Sequence, residues 1–325
     1  MLFATDGNPI PEDAESGYFE AADGVRLRYA YWRPPSGQTR GTVCVFHGRR
    51  EFIEKYFEVV GDLMSRGFAV AMMDWRGQGG SGRLLKNPHK GHVRSFADYD
   101  RDLIRFMQDV VLPDCPPPYF ALAHSMGGNV ILRALGERSW FDRVVCVAPM
   151  VSLRTSFLPW SVAAPLVTAT SLLGGGRFYI PGGGDKALEN LPFRNNPLTG
   201  DRRRFERTQA ILAAHPLLAV GSPTIGWVAA ALKAMAALQS AEFSTDIKVP
   251  VLIAAAAFDR VVSNIAIGEL ANRLPAGGNV FLDGARHEIL MERDLIREQF
   301  WAAFDAFVPG TVVPHQALRR SNAFW

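Results

Sequence analysis

Three polar side chains along this chain are of the types that nucleophilic acyl chemistry requires. The first is Ser125, in the segment ALAHSMGGNV at residues 121–130. An apolar run leads into the serine, and Gly127, Gly128 and a helix-compatible run follow it. That is the strand–turn–helix setting of a nucleophile elbow. A serine in so sharp a turn needs small residues two positions before it and two after. The helix beyond aims its N-terminal dipole at the site, which favours an anionic intermediate. Gly127 meets the second requirement. Ala123 stands where glycine is usual, so the motif is weakened and the assignment needs partners.

A serine nucleophile needs a base and an acid that orients the base, and after such an elbow they follow in the order acid, then histidine. VLIAAAAFDRVV puts Asp259 just past a strongly apolar strand, where open parallel sheets build their sites. NVFLDGARHEIL puts His287 in a glycine-containing loop, one helix and one strand further on. Other residues fit less well. Asp283 opens a turn with Gly284. His89 and His92 lie in a polar loop, His215 in the middle segment and His315 in the tail. His124 adjoins the serine and reads as structural, and His47 opens a loop after an early strand.

That loop, VFHGRREF at 45–52, is placed to hold a developing oxyanion. His47-Gly48 permits a sharp turn, and the backbone N–H of Arg49 is the expected donor, joined by that of Met126 after the nucleophile. The Arg49 and Arg50 side chains then read as a solvated basic loop. DWRGQGGSGR at 74–83 has neither of the common phosphate-binding glycine spacings. It reads as a tight loop supporting the elbow.

The elements that must position these groups alternate along the chain. Strands are expected at 26–32, 42–47, 69–74, 119–123, 143–148, 251–256 and 279–282, several of them apolar throughout, as strands buried on both faces are. Helices are expected at 57–66, 96–111, 126–137 and 264–273. The rhythm breaks between 150 and 246, where two glycine triplets, read as flexible joints, precede an arginine-rich stretch at 202–207 and a helical run at 223–238. The organisation is therefore an α/β core of 1–149 and 247–308, an inserted and mainly helical cap of 150–246, and a tail of 309–325. The 35 basic and 32 acidic residues leave a net charge of +3, too balanced for a nucleic-acid-binding face. The three cysteines, Cys44, Cys115 and Cys146, form no disulfide or zinc spacing and point to a reducing compartment. Residues 1–17 lack the features of a secretory leader. The run 160–173 is interrupted by Ser, Thr and Pro and falls short of the roughly 18 apolar residues of a span.

The segments HGRREFIEKY, DWRGQGGSGR, AHSMGG, FDRVVSN and ARHEIL together resemble the lysophospholipase L2 and monoacylglycerol lipase branch of the α/β-hydrolases, which groups with the serine aminopeptidase-like S33 hydrolases. The resemblance runs from about Gly17 to Phe307. It implies the α/β-hydrolase fold, a mostly parallel sheet with helices on both faces and a cap. It places Ser125, Asp259 and His287 on the family's triad and Arg49 and Met126 on its oxyanion donors, with Ala123 as the departure. It also implies a cap roofing an acyl pocket, with Trp227 either a wall of that pocket or a core aromatic of the cap. The expected reaction is hydrolysis of a small amphipathic ester through an acyl-enzyme on Ser125, with no metal or organic cofactor. A general carboxylesterase, a peptidase, an acyltransferase or a non-catalytic binding protein of the same fold stay open as alternatives. The arginines at 202–207 read as a solvated helix face or a phosphate contact. The expected location is cytoplasmic, peripheral to the inner membrane surface, with transient membrane contact through the cap. No oligomeric state is readable.

Overall fold

The computed structural model describes residues 1–34, 39–136, 140–154, 160–186, 192–240, 242–243 and 247–310. Eight strands form one sheet: β1 (Ala14–Glu20), β2 (Arg26–Trp32), β3 (Thr42–Phe46), β4 (Ala69–Met73), β5 (Tyr119–His124), β6 (Arg143–Val147), β7 (Val251–Ala256) and β8 (Gly277–Leu282). Their order across the sheet is β1-β2-β4-β3-β5-β6-β7-β8. The first two pairings, β1 with β2 and β2 with β4, are antiparallel, and the rest are parallel.

Side chains alternate across the pleat and so feed two separate cores. Cys44 and Phe46 of β3 and Ala121 and Ala123 of β5 face one cluster. This side is covered by α2 (Phe96–Phe106), α4 (Met126–Ala134), α7 (Ile225–Gln239) and α8 (Asn264–Arg273). Val43 and Val45 face the other cluster, covered by α1 (Phe57–Ser65) and α9 (Asp294–Phe307). Helix α2 runs on through a π-helical turn, Met107–Val111, into the short α3 (Leu112–Asp114). The expected strands appear within a residue or two of their ends. The additional strand β1 pairs with β2 at the sheet edge, where only Phe19 is buried, so its sequence AESGYFE carries no apolar run.

Between β6 and β7 lie α5 (Trp160–Leu172), α6 (Arg202–Ala214) and α7. Helix α7 buries Trp227, Ala231, Met235 and Leu238 in the same cluster as α2 and α4. The two glycine triplets, expected as flexible joints, are packed in part: Gly174, Gly182 and Gly184 have open space beside them, whereas Gly175 and Gly183 do not. A Cβ on Gly183 would lie 2.8 Å from Ser222 Cβ, and one on Gly175 would lie 2.8 Å from Thr170 Cγ2. In the arginine-rich stretch Arg202 and Arg203 are exposed, as a solvated face requires, but Arg204 and Arg207 turn inward. Arg204 is buried, and its guanidinium binds Glu58 of α1, Asp201 and Asp294 of α9 at 2.5–2.9 Å. Arg207 also reaches Glu58, at 2.8 Å. Arg204 and Arg207 form a strut that fastens the insert to the core. Of the tail, residues 311–325 lie outside the described residues, as does His315.

Replacing Arg204 with Met removes the guanidinium while leaving its carboxylates in place. Breaking a fully buried pair costs about 3–5 kcal/mol. Glu58 and Asp294 are partly hydrated, so a loss of about 2–3 kcal/mol is expected. Urea unfolding measures it, and a shift under about 0.5 kcal/mol, the range of a neutral surface change, would show that the strut carries no load.

Candidate active site

Ser125 occupies the junction of β5 and α4, with φ 50° and ψ −111°. A non-glycine residue adopts positive φ only where its surroundings hold it there. Here three backbone hydrogen bonds do so. The Ser125 N–H donates to the Val147 carbonyl at 3.0 Å, and the Ser125 carbonyl accepts from Met150 at 2.9 Å and Asn129 at 3.1 Å. The turn also needs a bare backbone on its far side. A Cβ on Gly127 would stand 2.3 Å from the Phe46 carbonyl oxygen and 2.7 Å from that of His47. Ala123 is wholly buried, between Phe46 of β3 and Cys146 of β6 in the register. The elbow forms with alanine there.

His287 and Asp259 come to the same point from other strand ends. His287 Nε2 is 2.9 Å from Ser125 Oγ, and its Nδ1 is 2.7 Å from Asp259 Oδ2. The other oxygen of Asp259 accepts the N–H groups of Val261 at 2.7 Å and Val262 at 3.0 Å. Burial pushes the Asp259 carboxyl up, but His287 and these backbone donors outweigh it and hold the group below the usual carboxylate range. Arg154 Nη1 holds the Asp259 carbonyl at 2.8 Å. All three side chains are nearly sealed, with Ser125 8% exposed.

The loop after β3 lies against the elbow. A Cβ on Gly48 would be 3.2 Å from Ser125 Cβ and 2.9 Å from His124 Nδ1. The Gly48 N–H is committed to Glu51 Oε2. Arg50 has φ 69°, and its N–H is taken by Gln78 Oε1 from the 74–83 loop. That loop supports both sides of the site, since Gln78 Nε2 is also 3.6 Å from Met126 Sδ. Met126 is the first residue of α4, where an N–H has no acceptor within the helix. The side chains of Arg49 and Arg50 are not a solvated basic pair. Arg49 Nη2 donates to the Gly221 carbonyl at 2.8 Å and Arg50 Nε to the Val220 carbonyl at 2.9 Å, both in the insert. Trp227 has a core position next to this loop. Its ring packs on Phe96, its Nε1 donates to Tyr99 Oη at 3.2 Å, and the Arg49 guanidinium sits 5.0 Å from its centroid.

The base loop meets the insert as well. The Arg286 guanidinium donates to the Asn196 and Thr199 carbonyls at 3.1 and 3.0 Å, and the Glu288 N–H to the Leu198 carbonyl at 2.8 Å. Residue types and spacing missed one group: Glu51, Lys55, Tyr56 and Glu288, all buried behind the triad. A signal was present. Glu51 and Lys55 stand one helical turn apart among Phe52, Ile53 and Tyr56, an apolar setting for a charged pair. Among the described residues, no group of three or more His, Cys, Asp or Glu side chains is arranged to hold a metal ion.

A Ser–His–Asp chain on a β5–α4 elbow, at the carboxyl ends of a mainly parallel sheet, defines the class: this is an α/β-hydrolase. The family model of the serine aminopeptidase S33 group matches residues 37–294, and the chain belongs to that family. It is 33% identical over 295 residues to lysophospholipase L2 of Escherichia coli (strain K12), covering 86% of this chain and 83% of that one. It is 31% identical over 162 residues to monoglyceride lipase of Mus musculus, covering 49% of each chain. Among solved structures, a soluble variant of monoglyceride lipase from Saccharomyces cerevisiae shares the fold, with TM-score 0.70 and 19% identity over 90% of this chain and 94% of that one.

Gly127→Ala would bring a methyl group onto the Phe46 and His47 carbonyls. The start of α4 must then move away from β3, carrying Ser125 with it. Activity is expected to fall at least about 100-fold, the scale of a 1 Å misplacement, with a lowered melting temperature. An active, fully stable variant would show that the turn has room to spare.

Proposed function

We propose that this chain is a serine esterase that removes the acyl chain from single-chain lipids, lysophospholipids or monoacylglycerols, through an acyl-enzyme on Ser125. The observation that carries the reading is the continuous hydrogen-bonded chain from Ser125 Oγ through His287 to Asp259, at 2.9 and 2.7 Å. In this reading His287 takes the serine proton as Oγ attacks the ester carbonyl, then returns it to the leaving alcohol. Water resolves the acyl-enzyme by the same route. Asp259 fixes the tautomer, since its free oxygen is already occupied by two backbone donors. The N–H groups of Arg49 and Met126 receive the oxyanion. The Gly48 N–H, nearer the turn, is engaged with Glu51 and does not compete for this role.

Support for a lipid comes from the similarity to lysophospholipase L2, which spans most of both chains. The insert adds support. Helix α5 carries no charged residue and leaves Val162 and Leu166 exposed. Leu172 at its end, and Leu173 and Phe178 beyond it, are each at least two-thirds exposed. Side chains of this kind in one stretch suit transient contact with a lipid surface. No helix among the described residues is long and apolar enough to cross a membrane. The cysteines Cys44, Cys115 and Cys146 are free and buried, in keeping with a cytoplasmic site at the inner membrane surface.

Two tests follow. Purified protein is expected to release fatty acid from lysophosphatidylcholine and from monoacylglycerol faster than from short p-nitrophenyl esters. Ser125→Ala should lose at least about 10⁴-fold in kcat together with fluorophosphonate labelling. Activity confined to short esters would discard the lipid assignment and keep the triad. Secondly, Leu166→Ser/Leu173→Ser should sediment less with anionic phospholipid vesicles while hydrolysing a water-soluble ester at the parent rate. Unchanged sedimentation would remove α5 and the residue after it from the lipid contact.

A further inference from the structure

Three loops built on different strands must stay in register for this site to work: the loop after β3, the elbow and the loop carrying His287. A buried ionic cluster joins them. Lys55 Nζ lies 2.8 Å from Glu51 Oε1 and 2.6 Å from Glu288 Oε1. Glu51 Oε2 accepts from Tyr56 Oη at 2.9 Å and from the Gly48 N–H, and it faces His124 Nδ1 at 2.7 Å. The other ring nitrogen, His124 Nε2, faces the backbone carbonyl oxygen of His287 at 3.2 Å. The two imidazole rings lie 4.9 Å apart.

The chemistry of the neighbours decides the charge of His124. A neutral imidazole has one nitrogen that donates and one that accepts. Here both nitrogens meet groups that only accept, a carboxylate and a backbone carbonyl. Both contacts are satisfied only if both nitrogens carry protons. Charge balance agrees: Glu51 and Glu288 bring two negative charges and Lys55 one positive, and a buried cluster needs its charges paired. Balance alone could be met by a proton on Glu288, whose carboxyl is pushed up by burial. The hydrogen bonds put the proton on His124 instead. Burial lowers the imidazole, but Glu51 opposes this and leaves it above the ordinary histidine value.

We infer that His124 is a positioning residue that works as an imidazolium, clipping the carbonyl of His287 to Glu51 and so holding the base and the oxyanion loop in register around Ser125. The inference rests on the serine-esterase reading for its consequence in turnover, though not for the charge itself. Loss of the proton on His124 would leave one of its two nitrogens facing an acceptor with nothing to donate. The His287 loop would then be released from the Gly48 loop. Among the described residues, the titratable groups in contact with His124 are Glu51 and His287, with Tyr56, Lys55 and Glu288 joined to them through Glu51 and Lys55; in the esterase reading His287 cycles its proton on every turnover.

The test joins a spectroscopic readout to a kinetic one. In the intact protein labelled with ¹⁵N-histidine, His124 should show two protonated ring nitrogens at pH about 7.5, where an ordinary histidine is about nine-tenths neutral. His124→Gln identifies the signal. That variant should lose about 10–100-fold in kcat with KM within about twofold of the parent, and its alkaline limb should no longer follow the parent's. A neutral His124 at that pH would overturn the inference, whether or not the variant folds. A folded His124→Gln protein with the parent's kcat and pH profile would also overturn it. An imidazolium in a parent protein whose Ser125 never reacts with a fluorophosphonate would instead overturn the esterase reading, and the positioning role with it.

Discussion

The Ser125 backbone sits at φ 50°, where an ordinary side chain costs about 1–3 kcal/mol, so the rest of the site is organised to hold it there. Its carbonyl is tied to α4 and to the chain leaving β6, and its N–H to β6 itself. The helix that follows can start so abruptly only because Gly127 lets its backbone touch the end of β3. The strain lifts Oγ clear of the sheet toward His287. The packed sheet interior and the protruding serine are thus one requirement seen from two sides.

The second organising feature is the set of polar groups that joins the loops of the site. The loop after β3, the 74–83 loop and the His287 loop are joined by polar groups: Asp74 and Gln78 on one flank, Glu51, Lys55 and Glu288 on the other. Asp74 alone accepts from Arg28, Ile53 and Gly80. Burial raises its carboxyl, yet Arg28 and His47 bring it down to about 2. Buried charges at such density serve geometry better than stability, because each fixes a direction that an apolar contact would leave free.

Most of the frame was legible in the residues. Apolar runs such as AVAMM and VLIAAA could only be strands buried on both faces, and the three triad residues follow strand ends in the one order the elbow allows. What escaped was written in a different alphabet. Strand β1 is half solvated and has no apolar run to announce it. Arg204 and Lys55 look like surface residues because charge is ordinarily hydrated. Only the acidic partners brought to them from distant segments, Glu58 and Asp294 for one and Glu288 for the other, make burial tolerable. The glycine triplets are ambiguous by nature, since glycine serves a loose joint and a tight contact equally well. Residue type tells little when the deciding partner is at least 90 positions away.

The side chains of Arg49 and Arg50 grip the carbonyls of Gly221 and Val220, while Arg286 grips those of Asn196 and Thr199. The insert is therefore stitched to both walls of the site through main-chain atoms, which every amino acid supplies. Its outer sequence can drift freely under mutation while the stitches persist. Exchanging the whole insert between relatives is another matter. A graft that alters the path of either seam would disturb turnover on every substrate at once, so new specificity in this lineage is more accessible by changing side chains within the insert than by trading inserts.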